Sequence, residues 1–132
     1  MRKKELFAQV LDFFERTMDA TETELDFRNN FELVVAVVLS AQCTDKRINQ
    51  VTPRLFQDFP TPEAMAQTTS EVIFDYIKSV SYPNNKAKHL VGLAQKLVAD
   101  FNGEVPSTLE ELTSLPGVGR KTANVVQAVA FH

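Results

Sequence analysis

A glycine hairpin opening straight into a helix, Leu115-Pro116-Gly117-Val118-Gly119-Arg120-Lys121-Thr122-Ala123, sets the tightest limit on how this chain can fold. Upstream of it, Thr108-Leu109-Glu110-Glu111-Leu112 reads as a short helix with a capping box from Thr108 to Glu111. Downstream, Arg120 to Phe131 reads as a second helix, with Ala123, Val125, Val126, Val129 and Ala130 on its apolar side. Two short helices joined by Gly-Val-Gly form a helix-hairpin-helix, a unit that grips a nucleic-acid backbone without reading bases. An ordinary turn between helices is the plainer alternative, since Pro-Gly commonly marks one.

The hairpin also carries chemistry. Amide N–H groups freed by Gly117 and Gly119, together with the positive end of the following helix, make a site for a phosphate. Lys121 falls in the first turn of that helix. The dipole there and any burial disfavour an ammonium, so the side chain is a candidate nucleophile supplied as neutral amine.

The rest of the chain offers helices and nothing else of length. Residues 3–18 are amphipathic, with Leu6, Val10, Phe13, Phe14 and Thr17 on one side. Residues 31–42 are apolar all round; their four valines suit a buried strand, but a span of twelve ending in Ser-Ala-Gln suits a central buried helix better. Thr44 then caps a helix to about Asp58, and Thr61 with Pro62 at the first helical position starts a short one. Ser70 is expected to cap a helix to Ser79, and Asn84 to open a long one ending near Phe101, with Gly103 supplying its C-terminal turn. No repeat, linker or low-complexity tract interrupts the pattern. The expected fold is an all-α bundle of about eight helices containing the helix-hairpin-helix. At 132 residues and 44% hydrophobic, the chain can bury one core.

Composition narrows the function classes. No run of eighteen apolar residues and no signal peptide is present, which points to a soluble cytoplasmic protein with no membrane partner. Cys43 is the lone cysteine, so an internal disulfide and a cysteine metal cluster are both excluded within this sequence, and no metal site is expected. The formal charge of −3 argues against a nucleic-acid partner. Its distribution softens the objection: residues 1–27 hold four basic and seven acidic groups, the whole of the excess. From Tyr76 to His132, Lys78, Lys86, Lys88, Lys96, Arg120 and Lys121 outnumber four acids, which allows a local basic face, or simply a solvated helix surface.

Three blocks together resemble the endonuclease III family of base-excision DNA glycosylases with abasic-site lyase activity. The hairpin matches L-P-G-V-G-x-K-T-A. Phe31-Glu32-Leu33-Val34-Val35-Ala36-Val37-Val38-Leu39-Ser40-Ala41-Gln42-Cys43-Thr44-Asp45 is similar to F-E-L-L-x-A-V-x-L-S-A-Q-x-T-D. Asn102-Gly103-Glu104-Val105-Pro106 is the segment that leads into the family's hairpin. The match runs in unbroken order over about residues 20–131.

The resemblance implies a set of roles. Lys121 would attack the sugar C1′, which marks the bifunctional branch, since the related adenine glycosylases generally lack that lysine. Gly117, Val118, Gly119, Arg120 and Thr122 would hold the DNA backbone, and Gln42 would enter the space vacated by a flipped nucleotide. Tyr82-Pro83-Asn84-Asn85-Lys86 stands where the family has G-L-Y-N-x-K, so its leucine wedge falls on Tyr82, an aromatic that can stack in a disrupted duplex, with Pro83 positioned to redirect the loop. The implied partner is double-stranded DNA with damaged pyrimidines or abasic sites, in a monomeric bacterial enzyme at the nucleoid. The family's catalytic aspartate, in a V-D-T-H segment, and the four cysteines of its four-iron cluster would both lie beyond His132; the last acidic residue here is Glu111. The resemblance therefore implies an N-terminal fragment, inactive or impaired as it stands, with no cofactor of its own and an iron–sulfur cluster only in the full-length protein. Residues 1–20 would form a helix that packs on the missing region and otherwise promotes self-association, and residues 21–132 a helical glycosylase domain with its helix-hairpin-helix at about 108–131. A noncatalytic DNA-binding module and a purely structural domain remain the other two readings.

Overall fold

The computed structural model describes residues 24–131. Among these the regular structure is helical, in seven helices with no strand: α1 (Asn30–Ser40), α2 (Asp45–Asp58), α3 (Pro62–Ala66), α4 (Ser70–Ile77), α5 (Pro83–Phe101), α6 (Leu109–Thr113) and α7 (Arg120–Ala130). The amphipathic stretch at 3–18, eighth in the expected count, and the boundary near residue 20 lie outside the described residues. No helix among those described is long and apolar enough to cross a membrane.

Five helix starts are fixed by a side-chain oxygen that accepts from an amide three residues on, satisfying a donor the helix itself cannot. Asn29 accepts from Glu32, Thr44 from Arg47, Thr61 from Ala64, Thr69 from Val72 and Thr108 from Glu111. Thr69, not Ser70, is thus the cap of α4; Ser70 is its first helical residue, and the helix stops at Ile77, short of Ser79. At the far end of α5, Asn102 takes a left-handed conformation (φ 60°), and the Gly103 amide (φ 81°) donates to the Leu97 carbonyl at 2.8 Å. That closure turns the chain through two left-handed residues just past the helix, and Asn is a non-glycine type that tolerates this conformation well.

The choice between strand and helix for the apolar run is settled by backbone bookkeeping. A helix satisfies its own N–H and C=O groups, so it can be buried on every side. Phe31 through Leu39 are all buried, and α1 runs through the core against α2, α5 and α7. Its one charged residue, Glu32, is only 2% exposed, and its carboxylate accepts from the Arg28 amide at 2.9 Å and from the Arg28 guanidinium at 2.6 to 3.2 Å. Those bonds offset the cost of burying the charge, and they hold the Arg28 guanidinium above its ordinary pKa. Around α1, the long α5 carries α3 and α4 on its flank, and α7 seats Ala123 and Val126 in the core.

Candidate nucleic-acid interface

The hairpin sits between α6 and α7 on two buried anchors, Leu115 and Val118. The Leu115 amide donates to the Leu112 carbonyl and the Val118 amide to the Leu115 carbonyl, both at 3.1 Å, so the turn is closed before α7 begins. Its other support is α5. A Cβ at Gly92 would stand 3.3 Å from the Pro116 ring, and one at Gly117 would stand 2.8 Å from the His89 Cβ. The hairpin therefore lies directly on the α5 surface.

The two hairpin glycines do different jobs. Gly117 has φ +80° and is pressed on His89, so only glycine fits. Gly119 is extended (φ −87°), with nothing within 4 Å of a Cβ placed there. Its role is to be a helix cap with no side chain. Among the described helices, α5 and α7 alone start without a side-chain cap bond, and at α7 this leaves the first-turn amides to an outside acceptor. The difference makes a prediction. Gly117→Ala is expected to cost about 2 kcal/mol in a urea unfolding curve, from left-handed strain and the anchored His89 Cβ, whereas Gly119→Ala changes stability by less than about 1 kcal/mol.

Arg120 and Lys121 are exposed in the first turn of α7, and Thr122 is half-buried behind them. The burial of Lys121 that the sequence allows for is not found; the residue is exposed in the first turn of α7. Gln42 is likewise not the last residue of the buried helix. α1 ends at Ser40, Ala41 leaves helical geometry (ψ 119°), and Gln42 follows with φ 58° in an exposed turn closed by the Cys43 amide on the Ser40 carbonyl at 3.0 Å. Tyr82 caps α5 with φ 53° and is 66% exposed. Pro83, not Asn84, is the first residue of α5, where a missing N–H costs nothing, so the proline leaves the ring in solvent.

Three non-glycine residues among those described have left-handed backbones, and two of them are Gln42 and Tyr82. Each such residue stores on the order of 1–3 kcal/mol of strain, which persists where surrounding contacts over-determine it. The contact that does so was missed by sequence reasoning. Lys86, counted above as part of a basic face, is 6% exposed and donates its ammonium to the carbonyls of Leu39 (2.9 Å) and Ala41 (2.5 Å), while its own amide donates to the Tyr82 carbonyl at 3.3 Å. Burial pushes its pKa below the ordinary lysine value, with Cys43 opposing. Its spacing is the signal that could have found it: Lys86 stands four and seven residues before the buried Leu90 and Leu93, on the apolar stripe of α5. Lys96 also drops out of the basic face, because it pairs with Asp100 at 2.8 Å one turn along α5. Lys78, Lys88, Arg120 and Lys121 remain exposed.

These pieces share one rail. Tyr82 stands at the amino end of α5, with Lys86 in its first turn and His89 three residues further on. Tyr82 to the hairpin seat at His89 is about 10 Å along the helix axis. The structure thus joins the Gln42 turn to the Tyr82 cap through Lys86, and the Tyr82 cap to the glycine hairpin through α5.

Comparison with known proteins places the fold. Residues 35–132 match the model of the HhH-GPD superfamily base excision DNA repair proteins. The endonuclease III of Synechocystis sp. is 45% identical over 98% of this chain and 59% of its own length, and that of Bacillus subtilis is 52% identical over 83% of this chain and 50% of its own. Among solved structures, a trapped covalent intermediate of endonuclease III with DNA superposes with a TM-score of 0.81 at 50% identity, covering 84% of this chain and 52% of that one. The chain spans about half to three-fifths of the length of these relatives. It belongs to the HhH-GPD superfamily of base excision DNA repair proteins, and within it to the endonuclease III family.

Proposed function

We propose that the protein acts in bacterial base-excision repair as a DNA glycosylase and abasic-site lyase for oxidised pyrimidines, with Lys121 as the nucleophile. The observation that carries this reading is an exposed lysine in the first turn of α7, a helix whose first amides no side chain caps. The hairpin amides at Gly119 to Lys121 bind a backbone phosphate, with Arg120 and Thr122 at its edge and Val118 anchoring the turn. Gln42 fills the gap left by the extruded nucleotide, and Tyr82 stacks on the opened step.

Chemistry then follows from the amine. The Lys121 Nζ bonds to C1′ as the C1′–N bond breaks, and the base departs with that electron pair. Loss of a proton from nitrogen and opening of the sugar give a Schiff base. Removal of a C2′ proton then expels the 3′ phosphate by β-elimination and cuts the strand. At an abasic site C1′ is already an aldehyde in equilibrium with its ring form, so the same attack needs no base to leave. Base departure from an intact nucleotide also calls for a carboxylate beside the sugar, which the resemblance assigns to a segment outside these residues.

An iron–sulfur cluster does not fit the residues present. Such a cluster takes four cysteine thiolates, and this sequence has Cys43 alone. Its place in the whole protein is part of the proposal.

The noncatalytic reading keeps one observation in its favour, that Arg120 and Lys121 are adjacent exposed cations at a phosphate site. An abasic-site duplex separates the two. The proposal expects strand scission with a β-elimination end and an adduct trapped by borohydride. Salt-sensitive binding with neither product would leave only a DNA-binding module, and no binding at all would remove DNA as the partner.

A further inference from the structure

Lys86 is expensive where it stands. A buried ammonium loses several kcal/mol of hydration, and its partners among the described residues are two main-chain carbonyls, with no carboxylate to offset the charge. A methionine of similar length would fill the same space, and replacing a buried ion by a matched apolar side chain is often neutral or stabilising. Stability alone therefore does not explain the residue. What the ammonium does that methionine cannot is fix two loops to each other. The carbonyls it holds belong to the last turn of α1 and to Ala41, the residue immediately before the left-handed Gln42. Its own backbone sits one turn into α5, bonded to the carbonyl of the left-handed Tyr82.

We propose that Lys86 is a positioning residue that yokes the Gln42 turn to the Tyr82 cap, so that the two exposed side chains enter a duplex as one rigid unit. This rests on the reading of the protein as a base-extruding DNA enzyme. Lys86 touches neither DNA nor the reacting sugar; it acts through Gln42 and Tyr82. Without the yoke each turn can relax its left-handed residue independently, and extrusion then has to order both loops at the moment of binding. Attack by Lys121 on a sugar that is already unstacked does not need the yoke.

The test uses two DNA substrates that differ only in whether extrusion is required. In Lys86→Met, borohydride trapping at an abasic site in duplex DNA is expected to slow about tenfold, and on a single-stranded abasic oligonucleotide less than about twofold. A 2-aminopurine next to a tetrahydrofuran abasic analogue should brighten on binding of the wild type and brighten far less with Lys86→Met. Lys86→Arg, which keeps charge and donors, should restore most of the duplex rate. Adding Gln42→Ala to Lys86→Met should cost little more, because one coupled unit is already broken. Should Lys86→Met lose its circular dichroism signal, Lys86→Gln is measured in its place by the same two substrates.

Equal losses on both substrates would show a merely structural lysine, and unchanged duplex trapping would show that the yoke has no role; either result overturns the proposal. A wild-type protein that neither unstacks the probe nor traps on either substrate would instead overturn the enzyme reading, and this assignment with it.

Discussion

Lys121→Gln is expected to abolish the borohydride-trapped adduct with abasic DNA, with a loss on the order of 10³-fold or more, while duplex affinity changes by less than about tenfold. Glutamine is polar and of comparable reach but has no amine to form the C1′–N bond. The side chain is exposed at the start of α7, so its replacement is expected to leave the fold intact. What remains in the variant is the hairpin, whose amides are main-chain groups and survive the substitution. An adduct of wild-type yield would place the nucleophile elsewhere. A large loss of affinity alongside the loss of adduct would mean that Lys121 acts chiefly as a phosphate cation.

Gly119→Asp should weaken binding to any duplex, damaged or not, by about 10- to 100-fold, and lower the salt dependence of binding by roughly one released counterion. The structure makes this an unusually clean charge test. A Cβ at Gly119 meets nothing within 4 Å, and its φ of −87° suits any residue. Aspartate is moreover a good helix cap, so α7 is expected to hold or gain stability as its amides are taken by the new carboxylate. The same event blocks those amides from phosphate and adds a repulsive charge. Gly119→Ser, a neutral cap, should fall between the two proteins. Filter binding at two salt concentrations, with circular dichroism for the fold, reads both effects; unchanged affinity in a folded Gly119→Asp protein would take the hairpin out of the DNA interface.

Local chemistry decided which parts of this molecule were legible in its sequence. Thr44, Thr61 and Thr108 cap helices because a short side-chain oxygen must meet an amide three residues on, a rule contained within four letters. At Thr69-Ser70 two such side chains compete, and the rule cannot rank them; packing of Ile73 and Ile77 into the core sets the register and gives the cap to Thr69. Pro83 is a helix start and not a bend in the loop, an effect that depends on the left-handed Tyr82 before it. The Gln42 turn lies two residues past the helix end for a reason that is not local at all. Its conformation is held from α5, 45 residues away from Ala41, by Lys86. The helical spacing of Lys86 with Leu90, Leu93 and Leu97 marks its position as inward, but the carbonyls it meets there are set by how α1 and α5 pack, which no local pattern records. The open amino end of α7 was legible, since a glycine cap followed by Arg and Lys leaves no side chain able to close it.

The most direct test of the account is to locate the covalent bond. Wild-type protein is reduced with borohydride on an abasic-site duplex, digested with nuclease and protease, and the peptides are weighed. The account predicts a sugar remnant on the peptide that contains Lys121 and on no other. A remnant on Lys88 or on the terminal amine, or no modified peptide at all, would contradict it.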